Sequence, residues 1–142
     1  MVVREMLNAA TDEVVVLGYE ITDEDFLTSI ARIAHRCRII FVVDRSRGSV
    51  RKIQKAWPES VPREPVILVN ASREDEAPYA KMHSKGLIVD GDDLLITSAN
   101  LTFHGFSGNI ELGVRVGGET ATMAREVIGR LVQQDLLQTL SW

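Results

Sequence analysis

With a single cysteine in 142 residues, the chain cannot staple itself, because Cys37 has no internal partner for a disulfide. Nor does a charged-then-apolar leader open the sequence. Together these two absences point to a reducing, cytoplasmic setting rather than export. No apolar run approaches the roughly 20 residues that a membrane-spanning helix needs, so a membrane location is not expected. Positive charge is not in excess: 16 Lys and Arg stand against 20 Asp and Glu, for a net charge of −4. An acidic body repels nucleic acid and anionic lipid alike, so any polyanion has to be held locally. Histidines number only three, and no pair has ligand spacing on one element, so no metal or other cofactor is expected. Internal repeats, low-complexity tracts and linkers are also missing. What is present is 45% apolar content, enough for one domain over residues 1–142 to bury a core.

The apolar residues are patterned. Glu13–Tyr19 is a β-branched run bounded by glycine, as in a buried strand. Thr22 can cap a helix with Asp23, Glu24 and Asp25 in its first turn, and Phe26, Leu27, Ile30, Ile33, Ala34 and Cys37 give that helix an apolar face. Arg38–Val43 reads as a strand, Ser46–Trp57 as a helix stopped by Pro58, and Val66–Val69 as a third strand before a polar loop over Asn70–Pro78. Met82–Val89 alternates apolar and functional residues, which predicts a strand with His83 and Lys85 side by side on one face. Leu94–Thr97 and Asn109–Val116 add strands. Glu119–Leu140 closes the chain as a long helix, with Met123, Val127 and Leu131 beside Ile128, Val132 and Leu136 as core rows. The order predicts an α/β sandwich, a mixed β-sheet flanked by helices.

The chemistry concentrates in Lys81-Met82-His83-Ser84-Lys85-Gly86-Leu87-Ile88-Val89-Asp90 and then Thr97-Ser98-Ala99-Asn100. In a shuffled chain of this composition, His-x-Lys with Asp five positions on would occur in roughly half a percent of cases. His83, Lys85, Asp90, Ser98 and Asn100 resemble the HxK(x4)D(x6)GSxN signature of the phospholipase D superfamily, which includes lipases, nucleases and phosphatidyl transferases. The resemblance covers most of the chain, from strands ending in Tyr19 and Asp44 through Asn109-x-Glu111 to Trp142, but only residues 81–111 are specific to the family. Thr97 departs from it, standing where the family has Gly.

Cleaving a phosphodiester without a metal needs a nucleophile, an acid for the leaving oxygen and cations for the phosphoryl oxygens. An imidazole can fill either of the first two roles. The resemblance implies that His83 attacks phosphorus to form a phosphohistidine that water then hydrolyses. It implies further that Lys85 and Asn100 hold non-bridging oxygens, with a hydroxyl donor from Ser98, and that Glu111 orients the His83 ring. Asp90 has two readings, as a member of the catalytic set or as a structural acceptor for turn amides around Gly91. His35 and His104 lack such company.

Arg45, Arg47, Arg51, Lys52 and Lys55 form the one local concentration of positive charge, readable as a solvated helix face or as a contact for a nucleic-acid backbone. Family members pair two motifs across a twofold axis, whereas this chain has one. The resemblance therefore implies a homodimeric endonuclease acting on DNA or RNA, or half of a larger parent chain. Two other readings stand beside it: a phospholipase or cardiolipin hydrolase, and a nucleic-acid-binding module of a larger, for example defence, complex. Tyr79, Phe103 and Phe106 flank the motif, where either a dimer axis or the core can use them.

Overall fold

The computed structural model describes residues 2–71, 81–101 and 110–142. The elements run α1 (Val2–Ala9), β1 (Glu13–Gly18), α2 (Glu24–Ile33), β2 (Arg38–Val43), α3 (Ser49–Ala56), β3 (Val66–Asn70), β4 (Gly86–Val89), β5 (Asp93–Thr97), β6 (Gly113–Gly117), α4 (Glu119–Gln133) and β7 (Leu137–Leu140). One seven-stranded sheet has the order β6-β5-β4-β1-β2-β3-β7. The strands β1, β2 and β3 run parallel through helical crossovers, while β4, β5, β6 and β7 each join antiparallel to a neighbour. This is the mixed, helix-flanked sheet that the sequence predicts.

Strands buried between helical layers need apolar side chains on both faces, and the Val/Ile runs provide them. Val14, Val16, Ile39, Phe41 and Val43 pack into a core with residues of α1, α2 and α3. Their alternates Val15, Leu17, Ile40 and Val42 pack with Ala121 and Ile128 of α4. The strand directions have one consequence for function. The C-terminal ends of β1, β2, β3 and β5 and the N-terminal ends of β4, β6 and β7 all collect along one edge of the sheet, the edge at which open α/β sheets bind ligands.

Several local expectations are corrected. Helix α1 was not anticipated, although Val3, Met6, Leu7 and Ala10 have helical spacing and pack on the core. Asp23, not Thr22, caps α2: its carboxylate accepts from Phe26 N, the stronger of two adjacent caps. Helix α3 begins at Ser49 rather than Ser46, because Ser46 is engaged by Asp44. It ends at Ala56, since Trp57 is extended ahead of Pro58. Strand β6 starts at Gly113, and Asn109 lies outside the described residues, as do Tyr79, Phe103, His104 and Phe106.

The long final helix is really two elements. Asp135 adopts φ 55°, and Asp135 N and Leu136 N bond back to Val132 O and Leu131 O. This is the double hydrogen bond of a Schellman stop, made with aspartate where glycine is usual. Leu137–Leu140 then pairs antiparallel with β3. Of the expected core rows, Ile128 is buried and Leu131 and Val132 are half-buried, but Met123 and Val127 are exposed. Among the described residues, no helix is long and apolar enough to cross a membrane.

Candidate active site

His83 and Lys85 precede β4 rather than lying within it, because the sheet pairing of that strand begins only at Gly86. Their segment is held from both sides. The amide of Met82 donates to Asp44 Oδ2 at 2.8 Å, and Lys85 O accepts from Thr97 N at 3.1 Å. Asp44, at the end of β2, is fully buried. Its Oδ1 takes Ser46 N at 3.0 Å and Ser46 Oγ at 2.5 Å, and Ser46 Oγ in turn accepts from Lys81 at 2.9 Å. Burial pulls this carboxyl upward, but the Ser46 and Met82 bonds, with the Lys81 charge nearby, outweigh that and hold it below its ordinary value.

Gly86 is required by space. A Cβ there would stand 2.0 Å from Leu95 O, so no other residue lets β4 pass β5 this closely and still deliver Lys85 to the edge.

Within the site, the exposed His83 ring leans on Tyr19, the residue that follows β1, with centroids 4.5 Å apart and planes inclined by 47°. Lys85 Nζ lies 3.1 Å from His83 Nδ1 and also donates to His83 O at 3.1 Å. An ammonium can only donate, so the Nδ1 that faces it accepts, and a neutral ring then carries its proton on Nε2. Burial pushes Lys85 below its ordinary range, partly offset by the Glu111 carboxylate.

Ser98 follows β5 and Glu111 precedes β6, and the Ser98 hydroxyl donates to Glu111 Oε2. Glu111 is thus engaged with Ser98, while the neighbour of His83 Nδ1 is Lys85. Ser98 is also tied to the residue that precedes β6, its Oγ accepting from Leu112 N at 3.1 Å and its N donating to Leu112 O at 3.0 Å. Thr97, which replaces the family glycine, accepts from Ala99 N at 3.1 Å and so shapes the turn toward Asn100. Asn100 is anchored through its neighbour: buried Leu101 bonds residues 20–23 through both its N and its O. Among the described residues Asn100 Oδ1 is buried without a hydrogen-bond partner, a condition that a native structure rarely tolerates unless a ligand or partner group completes it.

Asp90 stands at the far end of β4. Its carboxylate accepts from Thr11 N at 3.0 Å, Thr11 Oγ1 at 3.0 Å, Asp12 N at 2.8 Å and Glu13 N at 3.0 Å. Of its two readings the structural one matches this geometry, although the amides it binds belong to the α1–β1 connection and not to Gly91.

The basic segment divides. Arg45 is spent on Asn70 O and Gln138 Oε1, at 3.0 and 2.9 Å. Lys52 pairs with Glu24 at 2.7 Å, and Arg51 and Lys55 lie exposed on α3. Only Arg47 reaches the site, its guanidinium carbon 4.7 Å from the centre of the Tyr19 ring. The sequence reading missed Tyr19 and Asp44 as site residues. Their one signal was position, each at the end of a buried strand.

Comparison with known proteins agrees with this architecture. Residues 3–132 match the family model described as cardiolipin synthase, PLD-like domain. The DISARM protein DrmC of Bacillus paralicheniformis is 27% identical over 144 residues, covering 99% of this chain and 59% of that protein. This chain therefore spans 59% of the length of that curated relative. NucT from Helicobacter pylori superposes with a TM-score of 0.79 at 17% identity, over 98% of this chain and 89% of that one. Nuc from Salmonella typhimurium, described as a phospholipase D family member, gives 0.75 at 15% identity over 99% and 90%. At such identities the likeness is one of fold.

Proposed function

This chain belongs to the phospholipase D-like family, and we propose that within it the protein is a metal-independent endonuclease that cleaves nucleic acid at a site shared by two copies. The observation that carries the reading is the convergence of His83, Lys85, Ser98, Asn100 and Glu111, from three separate strand ends, along one sheet edge. Incoming phosphate draws the Lys85 ammonium from His83 Nδ1 onto a non-bridging oxygen, which Asn100 helps to hold. Nδ1 is then free to take the ring proton, Glu111 being the carboxylate whose charge already acts on Lys85, and Nε2 is left with a lone pair. It attacks phosphorus as the bond to the leaving oxygen breaks, and the second imidazole gives that oxygen its proton. Water, losing a proton to the same second imidazole, then breaks the P–N bond and restores both rings.

Attacker and leaving oxygen lie on opposite sides of phosphorus, so one His83 cannot serve both. A second copy supplies the other. Supporting this, Ile110, Leu112 and Val114 form an exposed alternating stripe, with Ile96 opposite Val114 on β5. Leu112 is bonded directly to Ser98, so this uncovered apolar surface of a kind monomers rarely expose adjoins the site itself. The test is cleavage of labelled single-stranded DNA, duplex DNA, RNA and a phospholipid in excess EDTA, with His83→Ala as control. Cleavage of a nucleic acid that survives EDTA and vanishes in His83→Ala supports the reading; strict dependence on magnesium, or turnover of the lipid alone, refutes it. A second reading draws on the DISARM relative: a nucleic-acid-binding subunit of a larger complex. It would show as oligonucleotide binding without cleavage in every assay.

A further inference from the structure

Tyr19 has two cationic groups over its ring. Lys85 Nζ lies 5.7 Å and Arg47 Cζ 4.7 Å from its ring centre, and the His83 ring touches it at 4.5 Å. The guanidinium carbon is therefore no further from the imidazole centre than the sum of two of those distances, about 9 Å. Among the described residues Arg47 makes no hydrogen bond or ion pair, and its cation–π contact is with the Tyr19 ring. It is exposed, whereas Arg45 and Lys52 from the same segment are consumed by Gln138 and Glu24. A guanidinium stacked on an aromatic face keeps its fork of donors free for an oxyanion. Lys85 and Asn100 already serve the reacting phosphate, so an arginine held one ring further out has a different phosphate to meet.

Resting on the nuclease reading, we propose that Arg47, seated on Tyr19, binds the phosphate adjacent to the scissile one. The site thus takes a strand of consecutive phosphodiesters, and Tyr19 is the positioning residue that sets both Arg47 and the His83 ring. A substrate with a single phosphate cannot engage this second position, whatever its leaving group.

The test compares Arg47→Ala and wild type on a single-stranded oligonucleotide and on bis(p-nitrophenyl) phosphate, which has one phosphodiester. The expected loss in kcat/KM on the oligonucleotide is about tenfold, the scale of one charge-assisted hydrogen bond, carried mainly by KM and several times larger than the loss on the small ester. Binding of a labelled oligonucleotide to the His83→Ala protein should weaken with added Arg47→Ala, and its log-log salt slope should fall by about 0.7. Tyr19→Leu should reproduce the selective loss, Tyr19→Phe should retain wild-type discrimination, and Tyr19→Leu with Arg47→Ala should lose little more than either alone. Equal losses on both substrates, or no loss with an unchanged salt slope, would overturn the proposal. If the wild-type chain cleaves neither substrate, the nuclease reading falls, and the binding measurements still decide the role of Arg47.

Discussion

Replacing Asp90 with Asn separates the two readings of this motif residue. Asp90 sits at φ 50° and Gly91 at φ 75°, and Asp92 N bonds Val89 O, so the pair forms the centre of a tight β-turn within the three-residue connection between β4 and β5. Asn tolerates that conformation as well as Asp does, so Asp90→Asn leaves the turn unstrained and removes only the charge and one acceptor. What it affects is the cluster of Thr11, Asp12 and Glu13 donors converging on the carboxylate. Hydrogen bonds to a charged group contribute about 1.5–3 kcal/mol each, but Thr11 and Asp12 are exposed and regain water. The expected net loss is therefore about 2–3 kcal/mol, or about 5–10 °C in Tm for a domain of this size. Burial pulls the Asp90 carboxyl upward, yet the bonds from Asp12, Glu13 and Thr11 prevail and hold it below its ordinary value. Its stabilising effect is then complete above about pH 4, the unfolded carboxylate value, and is lost as pH falls through the lowered folded value. Thermal melts of wild type and Asp90→Asn from pH 7 to pH 2 should accordingly converge toward the acid end. A melting curve unchanged at pH 7 alongside a kcat reduced a hundredfold or more would refute this and return Asp90 to the chemistry.

Three further outcomes follow from the site. Gly86→Ala should cost about 3 kcal/mol or more in denaturant unfolding, since its methyl meets Leu95 O and neither backbone can give way. Asp44→Asn should lower kcat more than it raises KM, because Met82 loses its charged anchor and the His83 segment its fixed position; a purely structural effect would lower Tm and leave the kcat of the folded fraction intact. Leu112→Glu should convert a species of about twice 15.8 kDa in light scattering into a folded, inactive monomer, whereas a fully active monomer would sink the shared site.

Local patterns were legible where one physical cause dominated. The Val/Ile runs of β1, β2 and β3 leave no alternative to a buried strand, and the His-x-Lys spacing pointed to the candidate site. What escaped depends on partners far away in sequence. Met82–Lys85 alternates like a strand, but Asp44, 38 positions earlier, holds it off the sheet. Leu137–Leu140 continues the helical spacing of α4 and becomes a strand only because Asp135 accepts a left-handed backbone and β3 has an open edge. Helix α1 was readable from Val3, Met6, Leu7 and Ala10 but too short to stand out. Arg47 and Tyr19, 28 residues apart, meet only because β1 and β2 are parallel neighbours ending at the same edge.

The β4–β5 hairpin carries both halves of the proposed phosphate site, Lys85 entering one strand and Ser98 leaving the other, with Thr97 N bonded to Lys85 O where the two part. Its reach is set entirely at the opposite end, by the Asp90-Gly91 turn. Strand side chains alternate, so one residue gained or lost in that turn would slide β5 by a single step and turn Leu94 and Leu95 onto each other's faces. The same slip would carry Ser98 and Asn100 past Lys85. Length variation during divergence should therefore be tolerated in the segments between hairpins and excluded from residues 90–92, a spacing rule imposed by geometry at the end of the hairpin opposite the proposed site.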